Sequence, residues 1–271
     1  MEFNGAARRL DDIDLPRLGA LIGVGEDELH AVMDVESRGS GFDSRGRPAM
    51  LFEPHVFYRL LRGTERDAAV ALGLARREWR RDYPPDSYPR LIRAMEINAE
   101  QALRSASWGL FQIMGFNAEA CGYASARAMV EAFREDEEHH MQAVVAFLRT
   151  MELDDDLRRH DWAGFARGYN GPRYAENQYD KKLARAFAKW KAIPDTPWKR
   201  GTVIATVRGE PVAVPAADAH PKAPDPDPEV APRPVPVAVA LAAMLAATGG
   251  ALVAFACKVP VLNSLISSCG G

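Results

Sequence analysis

Cysteine is scarce, with three residues at 121, 257 and 269 among 271. That excludes a disulfide framework and leaves Cys121 as a small core residue. An excess of either charge is also missing. The 34 Lys+Arg stand against 37 Asp+Glu for a formal net charge of -3, so there is no basic surplus of the kind that gripping nucleic-acid phosphates requires. There is no His-Glu-x-x-His pair. His139 and His140 are adjacent, point about 100° apart on a helix, and do not chelate one ion together. Gly39-Ser-Gly41 is one residue short of a Gly-x-Ser-x-Gly elbow, and no phosphate loop occurs. No metal or organic cofactor is implied. A secretory signal is lacking as well: the apolar patch Leu18 to Val24 is short and follows several aspartates, so accumulation in the cytoplasm before release is expected.

What is present is uneven. Hydrophobic residues make up 47% and charged residues 26% of the protein, an ordinary globular balance that excludes wholesale disorder. All but five basic and five acidic side groups precede residue 200, and nine of the nineteen prolines fall within residues 211–236. Such a stretch has neither helix-interior chemistry nor apolar groups to bury, so 200–236 reads as an extended linker. Val237 to Cys257 follows as 21 residues without a charge, long enough as a helix to span roughly 30 Å, the hydrocarbon thickness of a bilayer. Its Ala content and Gly249-Gly250 make it weakly hydrophobic, and a buried hairpin or docked helix is the alternative. The expected organisation is therefore a domain over 1–199, a linker over 200–236, a transmembrane helix over 237–257 and a tail over 258–271, with membrane association through the helix.

The first 199 residues read as mainly α. Apolar spacing and turn residues predict helices over 14–22, 26–37, 54–61, 88–103, 126–134, 137–151, 162–169 and 174–190. Ser125 and Asp161 are capping residues, and Leu91, Ile92, Met95, Ala99, Ala102 and Leu103 form one buried face. Strand signals are sparse, the best being Ala49 to Glu53 as half of a small hairpin. The run Arg134 to His140 reads as a solvated helix start, its acids suited to the positive end of the dipole.

One carboxylate is out of place. On helix 26–37 the apolar face is Leu29, Val32 and Met33, and Glu36 falls within about 20° of Leu29 around the axis. Burying a carboxyl raises its pKa, and a carboxyl protonated near neutral pH is what a general acid must be. The alternative is a structural glutamate paired with an arginine such as Arg38 or Arg45.

Three segments in order carry a resemblance: Val35-Glu-Ser37 with Gly39 to Phe42, Ser107-Trp-Gly-Leu-Phe-Gln-Ile-Met114, and Ala166-Arg-Gly-Tyr-Asn-Gly-Pro172. They resemble the signature segments of the lysozyme-like superfamily, which holds goose-type lysozymes and lytic transglycosylases. With Leu51-Phe-Glu-Pro-His-Val-Phe57, the run from Asp14 to Trp190 is similar to the N-acetylmuramidase domain of phage and prophage endolysins. The resemblance implies an α+β lysozyme-like fold and cleavage of the β-1,4 bond between N-acetylmuramic acid and N-acetylglucosamine in peptidoglycan. Glu36 would be the acid, beside Ser37. Gln112 would bind the sugar or hold the cleft wall, Trp108 would stack on a sugar face or lie in the core, and Tyr169 and Asn170 would place an acetamido group or support Glu36. Tyr169 as a core aromatic and Asn170 as a C-cap are the bland alternatives. Glu53 is the candidate second carboxylate, with Asp43 its competitor. Transglycosylase chemistry giving anhydro products, and a non-catalytic wall-binding module, are the rival readings. The expected partner is the glycan strand, with the inner membrane a second through 237–257, and the protein is expected to be a monomer.

Overall fold

Side-chain caps set the start of four of the eleven α-helices among the described residues. The computed structural model describes residues 1–199 apart from residue 38, so the expected linker, apolar helix and tail lie outside the described residues. Among the described residues no helix is long and apolar enough to cross a membrane. α1 (Asp14–Gly19) and α2 (Glu26–Glu36) are joined by a turn at Gly23, whose φ of 72° suits glycine. The Glu28 carboxylate accepts the Gly25 N–H at 2.9 Å and closes the start of α2. Ser37 stops it: its backbone is extended after its N–H reaches the Met33 carbonyl at 3.0 Å.

Pro54 opens α3 (Pro54–Leu60) as expected. α4 (Gly63–Ala71) has no counterpart in the sequence reading, because only Ala69 of it is buried and it carries almost no apolar stripe. The single helix expected over 88–103 is two, α5 (Tyr88–Met95) and α6 (Ala99–Arg104). Asn98 makes the break by accepting the Gln101 N–H at 3.0 Å. The break rotates one face against the other, so Leu91, Ala102 and Leu103 are buried whereas Ile92 is 49% exposed.

α7 (Ala126–Phe133) and α8 (Glu137–Thr150) follow, then the short α9 (Asp154–Arg158), α10 (Trp162–Asn170) and α11 (Tyr179–Trp190). Ser125 and Asp161 cap α7 and α10 as expected, accepting from Ala128 and Gly164 at 3.1 and 2.9 Å. α11 lies along α2 and α10. Phe42 and Pro48 bridge a short hairpin turn, and the strand expected at Ala49 to Glu53 belongs to a three-stranded antiparallel sheet in the order β1 (Met50–Phe52), β2 (Ala106–Trp108), β3 (Ile113–Met114). Leu51 faces Ser107, and Trp108 faces Met50 on one side and Ile113 on the other. Strands of two or three residues are too short to show alternation, which is why the sequence reveals half of one ladder.

The largest departure from expectation is the start of α8. Asp136, Glu137 and His140 are buried, not solvated. Their partners are groups from distant segments, which no local spacing discloses. Asp136 caps α8 through His139 N–H at 3.0 Å and pairs with Arg8. His140 takes the Leu110 N–H on Nδ1 at 3.1 Å and donates from Nε2 to the Phe133 carbonyl at 2.8 Å, and burial pushes its pKa down to about 4. A Cβ at Gly41 or at Gly109 would meet the His140 ring at 2.4 or 2.8 Å, so both turns need glycine to pack here. Cys121 is free and buried, as expected of a core residue. Replacing the helix-breaking cap, Asn98→Ala, is expected to cost about 1 kcal/mol, read as a lower urea midpoint at unchanged slope.

Candidate active site

Glu36 closes the last turn of α2 with its carboxyl turned inward, as its place on the apolar face requires. It is 2% exposed. The Asn170 amide, at the last turn of α10, donates to Glu36 Oε1 at 3.0 Å. Burial raises the Glu36 carboxyl to about 7, against the opposing pulls of the Asn170 bond and of the Lys182 charge on α11. Glu36 Oε2 has no hydrogen-bond partner in the protein among the described residues, and neither do Asn170 Oδ1 and the Tyr169 hydroxyl. Arg45, one alternative partner for Glu36, pairs with Asp86 at 3.4 Å, and residue 38 is outside the described residues. The site therefore holds a carboxyl that can carry a proton at neutral pH with one oxygen uncommitted.

The other expected residues divide. Asn170 and Tyr169 are brought to Glu36, and Ser37 caps the helix end, half-buried. Tyr169 is 0% exposed and stacked on Phe165 at 5.4 Å between ring centroids, so it supports the site from the core. Asn170 does not cap the end of α10 with its amide, which goes to Glu36 instead, and Gly171 at φ 84° turns the backbone. Gln112, at a left-handed φ of 50°, spends its amide on the Ala49 and Gly109 carbonyls at 3.1 and 2.7 Å and accepts from Ser107 Oγ at 3.0 Å. It holds the wall of the sheet. Trp108 is 0% exposed, donates to the Leu103 carbonyl at 3.0 Å and packs on Phe3 and Tyr88, so no face of it is open to a sugar. A stacking role for Trp108 is thereby corrected to a core role.

Glu53 stands in a cluster of its own. It is buried at the β1–α3 junction, where Tyr83 donates to its Oε2 at 2.6 Å, His55 Nδ1 lies 3.2 Å from that oxygen and Trp79 donates to the Tyr83 hydroxyl at 3.0 Å. Burial and the Glu53 charge push the Tyr83 phenol well above its ordinary value. Asp43 is engaged in the hairpin turn, with Oδ1 accepting from the Arg45 and Arg47 N–H groups at 2.9 and 3.0 Å and Oδ2 held by Arg47 at 2.7 Å. His55 is two residues from Glu53 in the segment Leu51 to Phe57, though its role beside that carboxylate is not read from the sequence. Tyr83 and the charge of Lys182 carry no signal in the sequence, because each acts on its carboxylate from a distant element. No group of His, Cys, Asp and Glu among the described residues is arranged to hold a metal ion.

The family described as N-acetylmuramidase matches residues 26–191, which include Glu36, Glu53, the sheet and Asn170. The protein belongs to the N-acetylmuramidase family. This muramidase is similar in structure to the crystal structure of a Burkholderia AP3 phage endolysin, at 38% identity and a TM-score of 0.64, over 69% of this protein and 73% of that one. No curated protein matches the sequence. The muramidase is a glycoside hydrolase that degrades peptidoglycan, on the α+β lysozyme-like fold expected from its three segments.

A raised carboxyl pKa has a consequence for stability. The folded muramidase holds the Glu36 proton more tightly than the unfolded polypeptide does, so folding loses stability as pH rises from the ordinary value of 4.5 through about 7, and the penalty is fully developed above that. Glu36→Gln removes the buried anion and keeps the oxygen that Asn170 binds. It is expected to be more stable than wild type at pH 8–9, by up to roughly 3 kcal/mol, and equally stable near pH 4. Calorimetry across that range checks the sign.

Proposed function

We infer that Glu36 is the general acid that protonates the leaving glycosidic oxygen when the bond between N-acetylmuramic acid and N-acetylglucosamine breaks. The observation that carries this is its buried carboxyl, pushed up to about 7 by that burial, with Oε1 fixed by Asn170 and Oε2 without a hydrogen-bond partner among the described residues. An acid so placed is protonated in a useful fraction at neutral pH and delivers its proton as an oxocarbenium-like transition state develops. Asn170 orients the carboxyl, Tyr169 packs behind it, and Gln112 keeps the wall of the cleft in place. Glu53 is the second carboxylate of choice, since both oxygens of Asp43 are spent on the hairpin turn. Hydrolysis is the preferred outcome because the matching family is named for hydrolysis of this bond, and the physiological result is lysis of a bacterial cell, as for an endolysin.

The decisive experiment measures soluble muropeptides released from purified peptidoglycan by the full-length protein, by Glu36→Gln and by Glu53→Gln, with mass spectrometry of the products. Wild type should release fragments with reducing muramic acid ends, and Glu36→Gln should lose activity by a factor on the order of 100 or more. Wild-type kcat should fall as pH rises through about 7, where Glu36 gives up its proton. Anhydro ends would instead make it a transglycosylase. Wall binding without release by wild type would remove the acid role.

The apolar segment 237–257 is part of the same reading: it holds the enzyme, a monomer, at the inner membrane while the Pro-rich linker lets the domain reach the wall. Support comes from its 21 uncharged residues behind the linker. In a flotation assay the full-length protein should rise with vesicles and a variant lacking 236–271 should stay at the bottom. Equal flotation of the two rules the anchor out.

A further inference from the structure

The segment that leaves Glu36 is held from outside the region that the family covers. The last hydrogen bond of α2 comes from Ser37 N–H, and Gly39 beyond it has a φ of 95°. Arg9, in the N-terminal arm, reaches across and donates from Nη1 to Ser40 Oγ at 2.8 Å and from Nη2 to the Gly39 carbonyl at 3.1 Å. Its Nε lies 2.9 Å from Glu137 Oε2. Glu137 is buried at the start of α8, and its other oxygen accepts the Gly41 N–H at 2.7 Å. Oε2 also takes the Leu10 N–H at 3.3 Å, and the Glu137 N–H donates to the Arg8 carbonyl at 2.9 Å. On its far side the same loop is tied to the sheet by Ala49 N–H to the Gly41 carbonyl at 2.7 Å.

All three nitrogens of the Arg9 guanidinium and both oxygens of Glu137 are thus spent on three consecutive residues of this loop and on each other or the arm. Their bonds run to the loop, the arm and each other, so any effect on Glu36 passes through the loop. A buried carboxylate is costly unless its oxygens are matched, and Glu137 is matched largely by the loop after the acid and the arm that grips that loop. The arm, the loop and α8 therefore hold one position together. Spacing in the sequence does not show it, because Arg9 and Glu137 are separated by more than half of the described residues and belong to no motif.

We propose that Arg9 and Glu137 are positioning residues for Glu36, a clamp that locks residues 39–41 and so fixes the end of α2 on which the acid sits. The proposal rests on Glu36 being the acid, and its test has readouts independent of that. Without the clamp the loop moves, water reaches the last turn of α2, and the acid is neither held in line nor kept dry. The ionisable groups that otherwise act on Glu36 are Tyr169 from α10 and Lys182 from α11, and the variants leave both in place.

The test uses the full-length protein as wild type, Arg9→Ala, Arg9→Lys and Ser40→Ala. Kinetics on solubilised glycan strands are combined with amide hydrogen exchange over residues 39–41 and a carbon-13 titration of the Glu36 carboxyl, assigned by difference from Glu36→Gln. Arg9→Ala should lower kcat roughly tenfold or more with KM altered less than about twofold. It should also speed exchange at Gly41 and move the Glu36 titration from about 7 towards the ordinary value of 4.5. Arg9→Lys keeps the charge beside Glu137 but not the two-pronged grip, and should fall between; Ser40→Ala removes one prong together with the two bonds between Ser40 Oγ and Phe42, and should shift every readout in the same direction. A kcat for Arg9→Ala within about twofold of wild type, or a lower kcat with Gly41 exchange and Glu36 titration unaltered, overturns the clamp. If wild type itself releases nothing from peptidoglycan, the acid role fails, and the exchange and titration results still decide whether the clamp positions Glu36.

Discussion

The hydrogen bond from the Asn170 amide to Glu36 Oε1, made in an apolar seam between α2, α10 and α11, is the interaction around which the site is arranged. Burial alone would drive the carboxyl pKa far upward, and a neighbouring arginine would drive it down into the range where the proton is gone at neutral pH. A neutral amide and the charge of one lysine oppose burial partially, and the balance falls at about 7. An amide donor fixes one oxygen without displacing the proton on the other. That is the difference between a buried glutamate that holds a fold together and one that is able to give its proton away.

Apart from Glu36 and Asn170, the polar residues discussed above serve mostly to hold backbone in place. Gln112 is bound to two carbonyls and a serine, and Asp43 is bound by Arg47 and two turn amides. His140 stitches the turn at Leu110 to the end of α7. In a domain whose sheet has strands of three residues or fewer, ladder hydrogen bonds are few, and polar side groups help to fix the sheet and its turns. The aromatic rings fill the core: Trp108 packs on Phe3 and Tyr88, and Tyr169 on Phe165.

The acidic start of α8 shows how far local pattern goes. Read along the sequence, residues 134–140 have the composition of a solvated first turn, and the helix does begin there with Asp136 as its cap. Their burial comes from the N-terminal arm and the loop after Glu36 closing over them. Glu53 is a parallel case: its place before Pro54 and His55 is evident from sequence, whereas the Tyr83 hydroxyl on its carboxylate is not. Ile92 departs for another reason, since the cap at Asn98 resets the helical phase and a single periodicity no longer applies.

Sequence alone is enough to establish the helical character of residues 1–199, the caps at Ser125 and Asp161, the inward place of Glu36 on α2 and, through three ordered segments, the muramidase family. The first three are properties of neighbours within one or two turns, where spacing and capping chemistry act directly, and the family is carried by the resemblance of segments spread from residue 35 to residue 172. Folding in three dimensions is what puts the Asn170 amide on Glu36 and brings the Lys182 charge to bear on it, makes Trp108 and Tyr169 core, and buries Glu137 beneath the arm carrying Arg9. Each of those depends on contacts between elements far apart in sequence, and desolvation, the main cause of the raised Glu36 pKa, exists only once those elements have closed together.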